Sequence, residues 1–398
     1  MSRSNRKSNR EPNSSQRSIE RERIDELAEQ VFGGSIHAQR IASLADGVDG
    51  VLHSAQLGIR AIGAGLAVAN GLTPRHAIKQ IDRLFSNESL EMSQLFKNWV
   101  RFVVAMRDEI IVNFDWTEFD DSDQSMIVLG MQTDHGRCTP LVWKTVIKSE
   151  LKGQRNAHED EVLRLFHECI TELEHPIQVT VVADRGFGNI DLYYFLKETL
   201  DFDYIIRFRG DIFVKSDRLE QRKACDWTGK DGRMKVLRDA YVTAKAAYVP
   251  VVVCVKAKGM KDTWCLASSR NDLTGTQIKV QYGKRFTIEE SFRDLKNPHL
   301  GLGLKKVRMK RTDRRDRLFL LATLAHTLLV LLGRAGRELN LDRWLGASKP
   351  GALSLFRMGH LLYRLIPSME ETRLKALMEC YDRILACHDV CHETHGII

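Results

Sequence analysis

Apolar positions recur with a helical period over residues 19–108. The clearest example is the stretch 71–85, where Thr73 suits the N-cap and Pro74 suits the first helical position. One apolar face of this helix is formed by Ala77, Ile78, Ile81, Leu84 and Phe85. The opposite face carries Arg75, His76, Lys79 and Arg83. The pattern therefore predicts a helical N-terminal region that contains at least one strongly amphipathic helix.

The pattern changes at residue 109, where short runs of β-branched and apolar residues begin. Short polar gaps separate the first three runs, so these strands are expected to be antiparallel neighbours. The almost wholly apolar fourth run is typical of a buried central strand. The predicted elements are strands at 109–114, 125–131 and 141–147, a helix at 156–173, a strand at 177–183, a helix at 190–200 and a strand at 204–208. This β-β-β-α-β-α-β order predicts an α/β protein with the ribonuclease H fold.

Residues 211–275 interrupt this order with a segment rich in Lys, Arg, Gly and Asp. Two strands are predicted within it, at 248–255 and 263–267, so it is interpreted as a β-rich insertion. A helix, a basic run at 305–317, an apolar helix and a helical C-terminal region follow.

The helix after the insertion carries an ordered set of polar side chains. If it is continuous, Tyr282, Arg285, Glu289 and Lys296 occupy a stripe about 60° wide. Glu290 lies outside this stripe. The buried face beside Glu289 is predicted to contain Ile288, Phe292 and Leu295. A carboxylate flanked by a phenol and two cations indicates a metal ligand beside phosphate-binding groups, with Arg293 as a further cation for phosphate.

Two aspartates upstream supply partners for Glu289. Asp115 and Asp184 each follow a predicted strand, where α/β folds place their ligands. Three carboxylates without His or Cys suit Mg²⁺, with Mn²⁺ as a substitute. Two such ions would clamp the attacking and leaving oxygens of a phosphoryl transfer. Repulsion among three close carboxylates is tolerable only if a metal or another cation offsets it, so the metal-free site is expected to be held open.

Composition fits an ordinary chain with a sizeable core: 43% of residues are hydrophobic and 28% are charged. The net charge of +8 favours polyanionic partners. Residues 1–18 are polar and basic, lack a secretory apolar segment and predict a disordered arm. The apolar run Leu318–Leu332 is shorter than a membrane span requires, so no transmembrane segment is predicted.

The eight cysteines are scattered, which suits a reducing cytoplasm. One Cys/His cluster lies near the C-terminus. It comprises Cys380, Cys387, His388, Cys391, His392 and His395. It is interpreted either as a structural zinc site or as one cysteine-lined face of an amphipathic helix.

The chain resembles a DDE transposase of a bacterial insertion sequence, in the insertion-sequence-four family. Tyr282, Arg285, Glu289 and Lys296 match that family's Tyr-x2-Arg-x3-Glu-x6-Lys signature at every position. The blocks around Asp115 and Asp184 are similar to the family's first two, and the resemblance spans about residues 70–335. It implies cut-and-paste transposition: strand nicking, hairpin formation, hairpin opening and strand transfer at one metal site. It also implies action on terminal inverted repeats and target DNA, by a homodimer in the bacterial cytoplasm.

The resemblance also indicates where DNA would lie. Relatives place a flipped base on an aromatic residue of the insertion, and Trp264 resembles that residue. The alternatives are that Trp264 is a core residue or that Trp227 takes the role. The basic run after the signature helix adds Lys305, Lys306 and Arg308 as predicted DNA contacts. The helix at 74–85 is a further candidate, as part of a helix–turn–helix reader.

The predicted organisation follows from these assignments. It comprises a disordered basic arm (1–18), a helical DNA-binding domain (19–108), a first part of the ribonuclease H-like core (109–210), the β-rich insertion (211–275), a second part of the core (276–335) and a helical C-terminal region that is a candidate for dimerisation (336–398). Two other functions share these features. One is a ribonuclease H-like nuclease or resolvase without strand transfer, and the other is a catalytically silent DNA-binding repressor.

Overall fold

The computed structural model describes residues 21–216, 220–229, 232–243 and 246–386. The α-helices in this part are α1 (Arg21–Phe32), α2 (Ala38–Ser54), α3 (Ile59–Asn70), α4 (Pro74–Ser86), α5 (Met92–Val104), α6 (Arg155–Thr171), α7 (Ile190–Tyr194), α8 (Gly275–Gly283), α9 (Phe286–Lys296), α10 (Thr312–Glu338), α11 (Leu355–Leu365) and α12 (Glu371–Ala386). The strands are β1 (Glu109–Phe119), β2 (Gln124–Gln132), β3 (Cys138–Ile147), β4 (Gln178–Ala183), β5 (Asp203–Phe208), β6 (Phe213–Lys215), β7 (Gln221–Lys223), β8 (Lys235–Val242), β9 (Ala247–Val255) and β10 (Trp264–Ser268).

All ten strands form one sheet, in the order β3-β2-β1-β4-β5-β10-β9-β8-β6-β7. β4 runs parallel to β1 and to β5, whereas β1, β2 and β3 are antiparallel neighbours. The predicted order of the first seven elements is therefore confirmed. The result is a mixed α/β protein with a large sheet, consistent with a ribonuclease H-like transposase domain.

One strand boundary differs from the prediction. β1 continues to Phe119, so Asp115 lies within a strand rather than after it. The parallel ladder between β1 and β4 nevertheless ends at the pair Phe114 and Ala183. Asp115 and Asp184 are the next residues on each side. The strand continues because β1 remains paired with β2 as far as Phe119.

The predicted insertion extends the central sheet. β10 pairs antiparallel with β5, through Cys265 and Phe208, and β9, β8 and β6 follow outward. Val252 and Ala267 are fully buried there, whereas the outermost strand β7 is exposed along its length. The inner strands of the segment are therefore part of the buried sheet, and β7 forms an exposed edge.

The N-terminal helices share one hydrophobic core with the C-terminal helices. The backbone N–H of Leu57 donates to the carbonyl of Leu302 at 3.1 Å, and Arg23 pairs with Asp382. α4 begins with the predicted cap, in which the Thr73 hydroxyl accepts from a backbone N–H of the first turn. These contacts fix the position of the first five helices relative to the sheet.

α10 is longer than the apolar run within it suggested, with 27 residues. It is long and apolar enough to cross a membrane by length and composition, but 94% of its most apolar window is buried inside the protein. Core helices of folded proteins pass the same test. The bent pair α2 and α3 also passes it if the two are counted as one span.

The C-terminal cysteine cluster is described only in part. Cys380 is a buried residue of α12, and its thiol lies 3.9 Å from the carbonyl of Ala335. Cys387, His388, Cys391, His392 and His395 lie outside the described residues, as does the predicted arm 1–18.

Candidate active site

The signature helix is broken in two, which the sequence prediction missed. α8 ends at Gly283 and α9 begins at Phe286, so Tyr282 and Arg285 do not share one helix with Glu289 and Lys296. The prediction of one continuous helical stripe is therefore wrong. Tyr282 is 1% exposed and Arg285 is 6% exposed, so neither side chain lies on an open surface.

A polar side chain in β1 holds this break against the sheet. Asn113 is fully buried, and its amide nitrogen lies 3.4 Å from the carbonyl oxygen of Arg285 and 3.1 Å from the hydroxyl of Thr287. Its amide oxygen accepts from Gln132 at 2.6 Å. Because a helix break leaves carbonyl groups unpaired, a buried amide donor stabilises it. Sequence reasoning treated 109–114 as an apolar run; its single asparagine was the available signal.

Arg285 joins two of the three predicted carboxylates. Its Nη1 atom donates to Asp115 Oδ2 at 3.1 Å, and its Nη2 atom donates to Glu289 Oε1 at 2.7 Å. Its guanidinium also lies over the ring of Phe286, 4.6 Å from the centroid. A cation from the same chain therefore offsets the charge of these two carboxylates.

Asp115 and Asp184 differ in their surroundings. Burial raises the pKa of Asp115 to about 6; Arg285 opposes the increase, and the carboxylates of Asp184 and Glu289 add to it. Asp184 is half-buried and caps the turn after β4, accepting from the backbone N–H of Gly186 at 2.7 Å. Its side chain is thus fixed locally. Asp115 also accepts from a local backbone N–H, that of Trp116 at 2.9 Å, and in addition binds Arg285.

Glu289 and Glu290 point to different partners, as the helical wheel predicted. Glu290 Oε2 accepts from Arg293 at 2.7 Å and lies 4.0 Å from Arg137. The predicted apolar face of α9 is buried against the sheet. It consists of Ile288, Phe292 and Leu295. Glu289 lies at the edge of that face and reaches Arg285, while Arg293 is exposed.

Lys296 is turned toward the strand that carries Asp115. Its Nζ atom donates to the Thr117 hydroxyl at 2.9 Å and to the carbonyl of Glu118 at 2.7 Å, and it lies over the ring of Phe119. Burial, together with the charge of the neighbouring Lys305, lowers the pKa of Lys296 to about 8. In this arrangement Lys296 ties the end of α9 to β1.

Trp264 packs against the signature segment. Its ring centroid lies 4.8 Å from that of Tyr282, in an edge-to-face arrangement, and 6.4 Å from that of Phe286. Trp264 is half-buried and Phe286 is 45% exposed, so part of this aromatic group faces solvent. Trp227, the alternative, is 8% exposed and lies beneath Arg222.

The predicted basic run divides into an exposed part and a paired part. Lys305, Lys306 and Arg308 are exposed, and among the described residues none of them pairs with a carboxylate. By contrast, Arg315 is fully buried and Arg317 is 7% exposed. Only the first part of the run is therefore available to an external ligand.

Comparison with known families agrees with this geometry. Residues 144–328 match the family model described as transposase DDE domain. The matched segment contains Asp184 and Glu289, covers a little under half of the chain and begins after Asp115. None of the curated proteins matches the chain. The match supports a DDE transposase, an enzyme that acts on DNA.

DDE transposases generally use divalent metal ions. Three carboxylates supply the hard oxygen ligands that such ions prefer. Over the described ranges, however, no group of three or more His, Cys, Asp or Glu side chains is arranged to hold a metal. Arg285 explains the difference, since its guanidinium lies between Asp115 and Glu289. The three carboxylates are therefore of the right chemical type for a divalent ion. In this structure the positive charge beside Asp115 and Glu289 comes from Arg285.

Proposed function

We propose that this protein is a DNA transposase that moves an insertion sequence by cut-and-paste transposition. The match to the transposase DDE domain supports action on DNA. The observation that carries the proposal is the bridge at the end of the β1–β4 ladder. Arg285 binds Asp115, 170 positions away in the chain, together with Glu289, and Asp184 follows the neighbouring strand. A ribonuclease H-like core that gathers these carboxylates suits phosphoryl transfer.

The proposed reaction has four steps at one site. Water attacks the phosphodiester at the element's end, forming one P–O bond and breaking another, and releases a 3′-hydroxyl. That hydroxyl attacks the opposite strand and closes a hairpin. Water then opens the hairpin, and the 3′-hydroxyl finally attacks target DNA. Each step exchanges one P–O bond for another, so no oxidant or energy source is needed.

Asp115, Asp184 and Glu289 would hold Mg²⁺, or Mn²⁺ in its place, and two ions are proposed. Bound there, the metal supplies Lewis acid stabilisation of the charge that develops at the phosphorus oxygens. Arg285 would have to release Asp115 and Glu289 when the ion binds. The freed guanidinium is then suited to a DNA phosphate, because its fork matches phosphate oxygens.

The remaining signature residues are proposed to position the reacting strand. Lys296 keeps β1 in place behind Asp115 through Thr117 and Glu118. Tyr282 supports Trp264, on which an unpaired base would stack with about 1–3 kcal/mol of stabilisation. Arg293, Lys305, Lys306 and Arg308 would contact flanking phosphates. Pairing of two element ends requires a homodimer, and the protein would act on DNA in the bacterial cytoplasm.

One assay separates the candidate functions. The protein is incubated with Mg²⁺ and a DNA fragment that carries the ends of its own element. Hairpin ends and joined products are expected. Nicks alone would indicate a nuclease without strand transfer, and binding without cleavage would indicate a repressor.

The carboxylate assignment is tested by Glu289→Gln, with Glu290→Gln as the matched control on the same helix. Cleavage is expected to fall at least about a thousandfold in the first variant and to remain in the second. Equal activity in both variants would remove Glu289 from the site. Trp264→Ala tests the stacking role, and a wild-type rate of hairpin formation would contradict it.

A further inference from the structure

A basic cavity opens beside the candidate active site and belongs to none of its assigned residues. Its volume is about 620 Å³, and it lies between the end of β5, the end of β9 and the start of β10. The charged residues in its wall include Arg185, Arg207, Arg209, Lys256 and Lys261. Only Asp211 and Asp262 oppose these five cations.

Most of these cations lack a partner. Arg207 Nη2 lies 3.9 Å from Asp262, which is a weak ion pair. Within the described ranges, no carboxylate pairs with Arg185, Arg209, Lys256 or Lys261. Four unpaired cations around one concave space create a positive potential that attracts an anion.

A buried donor in the same cavity also lacks a partner. The side chain of Arg207 is 18% exposed, and its Nε atom is buried without a hydrogen bond to any described residue. Such a donor is destabilising as long as nothing accepts from it. Because this atom is inaccessible, an anion in the cavity would reach it only after the Arg207 side chain moved, so it is the unpaired cations that favour a ligand.

The position of the cavity relates it to DNA. Arg185 directly follows Asp184, and Thr263 in the cavity wall directly precedes Trp264. The cavity therefore lies between a candidate catalytic carboxylate and the candidate stacking residue. Its volume lies within the range of small-ligand sites, about 300–1,000 Å³, which includes a nucleotide.

We propose that this cavity binds the phosphodiester backbone of the DNA strand that passes from the catalytic carboxylates to Trp264. The inference rests on the proposed function, which it deepens by naming a second phosphate site. The cations come from three separate stretches of the chain, which only the fold brings together. Arg207 lines the cavity and also contacts the Tyr282 hydroxyl, so this one side chain links the cavity to the signature segment.

The test uses the full chain and two charge-matched double variants. Arg209→Gln with Lys256→Gln removes two cavity cations and leaves Arg207 intact. Arg343→Gln with Lys349→Gln removes two exposed cations from the α10–α11 connection, outside the cavity. Binding of a mixed-sequence DNA duplex is measured as a function of salt. We expect the cavity variant to lose about two units of salt dependence and roughly ten- to hundredfold in affinity at low salt, and the control to change much less.

Cys225 provides a direct probe of occupancy. It lines the cavity and is half-buried, whereas Cys138, Cys169, Cys254 and Cys265 are buried. Alkylation at Cys225 is followed by peptide mapping, with and without DNA. DNA is expected to slow it at least severalfold in the wild-type protein and not in the cavity variant.

The outcomes separate this inference from the proposed function. If the wild-type protein cleaves or binds DNA while the two variants behave alike and Cys225 remains unprotected, the cavity is not a DNA site and the proposed function still stands. If inorganic pyrophosphate protects Cys225 and DNA does not, the cavity binds a free anion and the inference is wrong. If the wild-type protein neither binds nor cleaves DNA, the proposed function itself fails.

Discussion

Two basic regions of this protein use their cations in opposite ways. The segment 311–317 is dense in arginine, but most of that charge is consumed within the fold. Arg314 pairs with Asp82, and Arg311 pairs with Asp313. Arg317 also binds Asp313, at 2.7 Å, and donates to the carbonyl of Phe85. The cavity cations beside Asp184 come from distant positions, and four of the five, all except Arg207, pair with no described carboxylate.

The difference shows that charge density along a chain does not measure the charge available to a ligand. A run of arginines at the start of a long buried helix has acceptors from several packed elements within reach. Arg315, for example, donates to Gln124 and to the carbonyl of Val307 and lies over the ring of Phe119. Cations at strand ends project into open space and keep their charge free.

The largest expected effect comes from removing a buried cation of the paired region. Arg317→Ala should destabilise the protein by about 3–5 kcal/mol, because it leaves the buried carbonyls of Phe85 and Leu90 without this donor and takes from Asp313 one of its two arginine partners. Urea unfolding measures the loss. DNA binding by the folded variant should be unchanged. If the folded variant instead lost much of its affinity for DNA, Arg317 would contact DNA itself.

The stability of the protein should also depend on pH through Asp316, which lies in the same paired segment 311–317. Burial raises the pKa of Asp316 to about 8, although Thr145 donates to its carboxylate. The folded state therefore holds a proton that the unfolded state releases near pH 4, so stability should fall as pH rises from about 4 to about 8. Asp316→Asn keeps the acceptor and should remove this decrease. If the wild-type protein and the Asp316→Asn variant lost the same stability as pH rises, the decrease would not come from Asp316.

A smaller and different effect is expected from the exposed part of the run. Each of Lys305→Gln, Lys306→Gln and Arg308→Gln should reduce the salt dependence of DNA binding by about one unit. Urea midpoints should stay close to the wild-type value, because these side chains pair with no described carboxylate. If all three variants bound DNA as the wild-type protein does, Lys305, Lys306 and Arg308 would not contact DNA, and the cavity cations would remain as the proposed contacts.

The smallest effect should come from Arg311→Gln. This side chain is 52% exposed and already paired with Asp313 and Glu88, so it has little charge to offer a ligand. Neither the unfolding midpoint nor the salt dependence should move measurably. A change in salt dependence as large as that of Lys305→Gln would show that pairing does not remove a cation from DNA binding.

The order of the core strands could be predicted from the sequence because each strand is a short apolar run between polar turns. The run 177–183 and its terminal Asp184 are the clearest case, since local pattern alone fixes that strand end. The choice of Glu289 over Glu290 also followed from local periodicity, because Ile288, Phe292 and Leu295 define the buried side of α9.

The features that were missed depend on contacts between distant parts of the chain. The helix break after Gly283 is held by Asn113, and the burial of Arg285 depends on Asp115. β1 continues beyond Asp115 because β2 pairs with it, and Lys296 then binds the extra residues. No local pattern specifies such partners, so the sequence could not reveal that the predicted stripe is broken in two or that Arg285 binds Asp115.

The pairing of β10 with β5 has a consequence for shortening the protein. Without the inserted strands, β5 would become the edge of the remaining sheet and would present a row of unpaired N–H and C=O groups. Such an edge pairs readily with another chain and promotes aggregation. The segment between β5 and α8 therefore covers the edge that β5 would otherwise expose. A shortened protein without this segment would need another strand or a helix to cover β5.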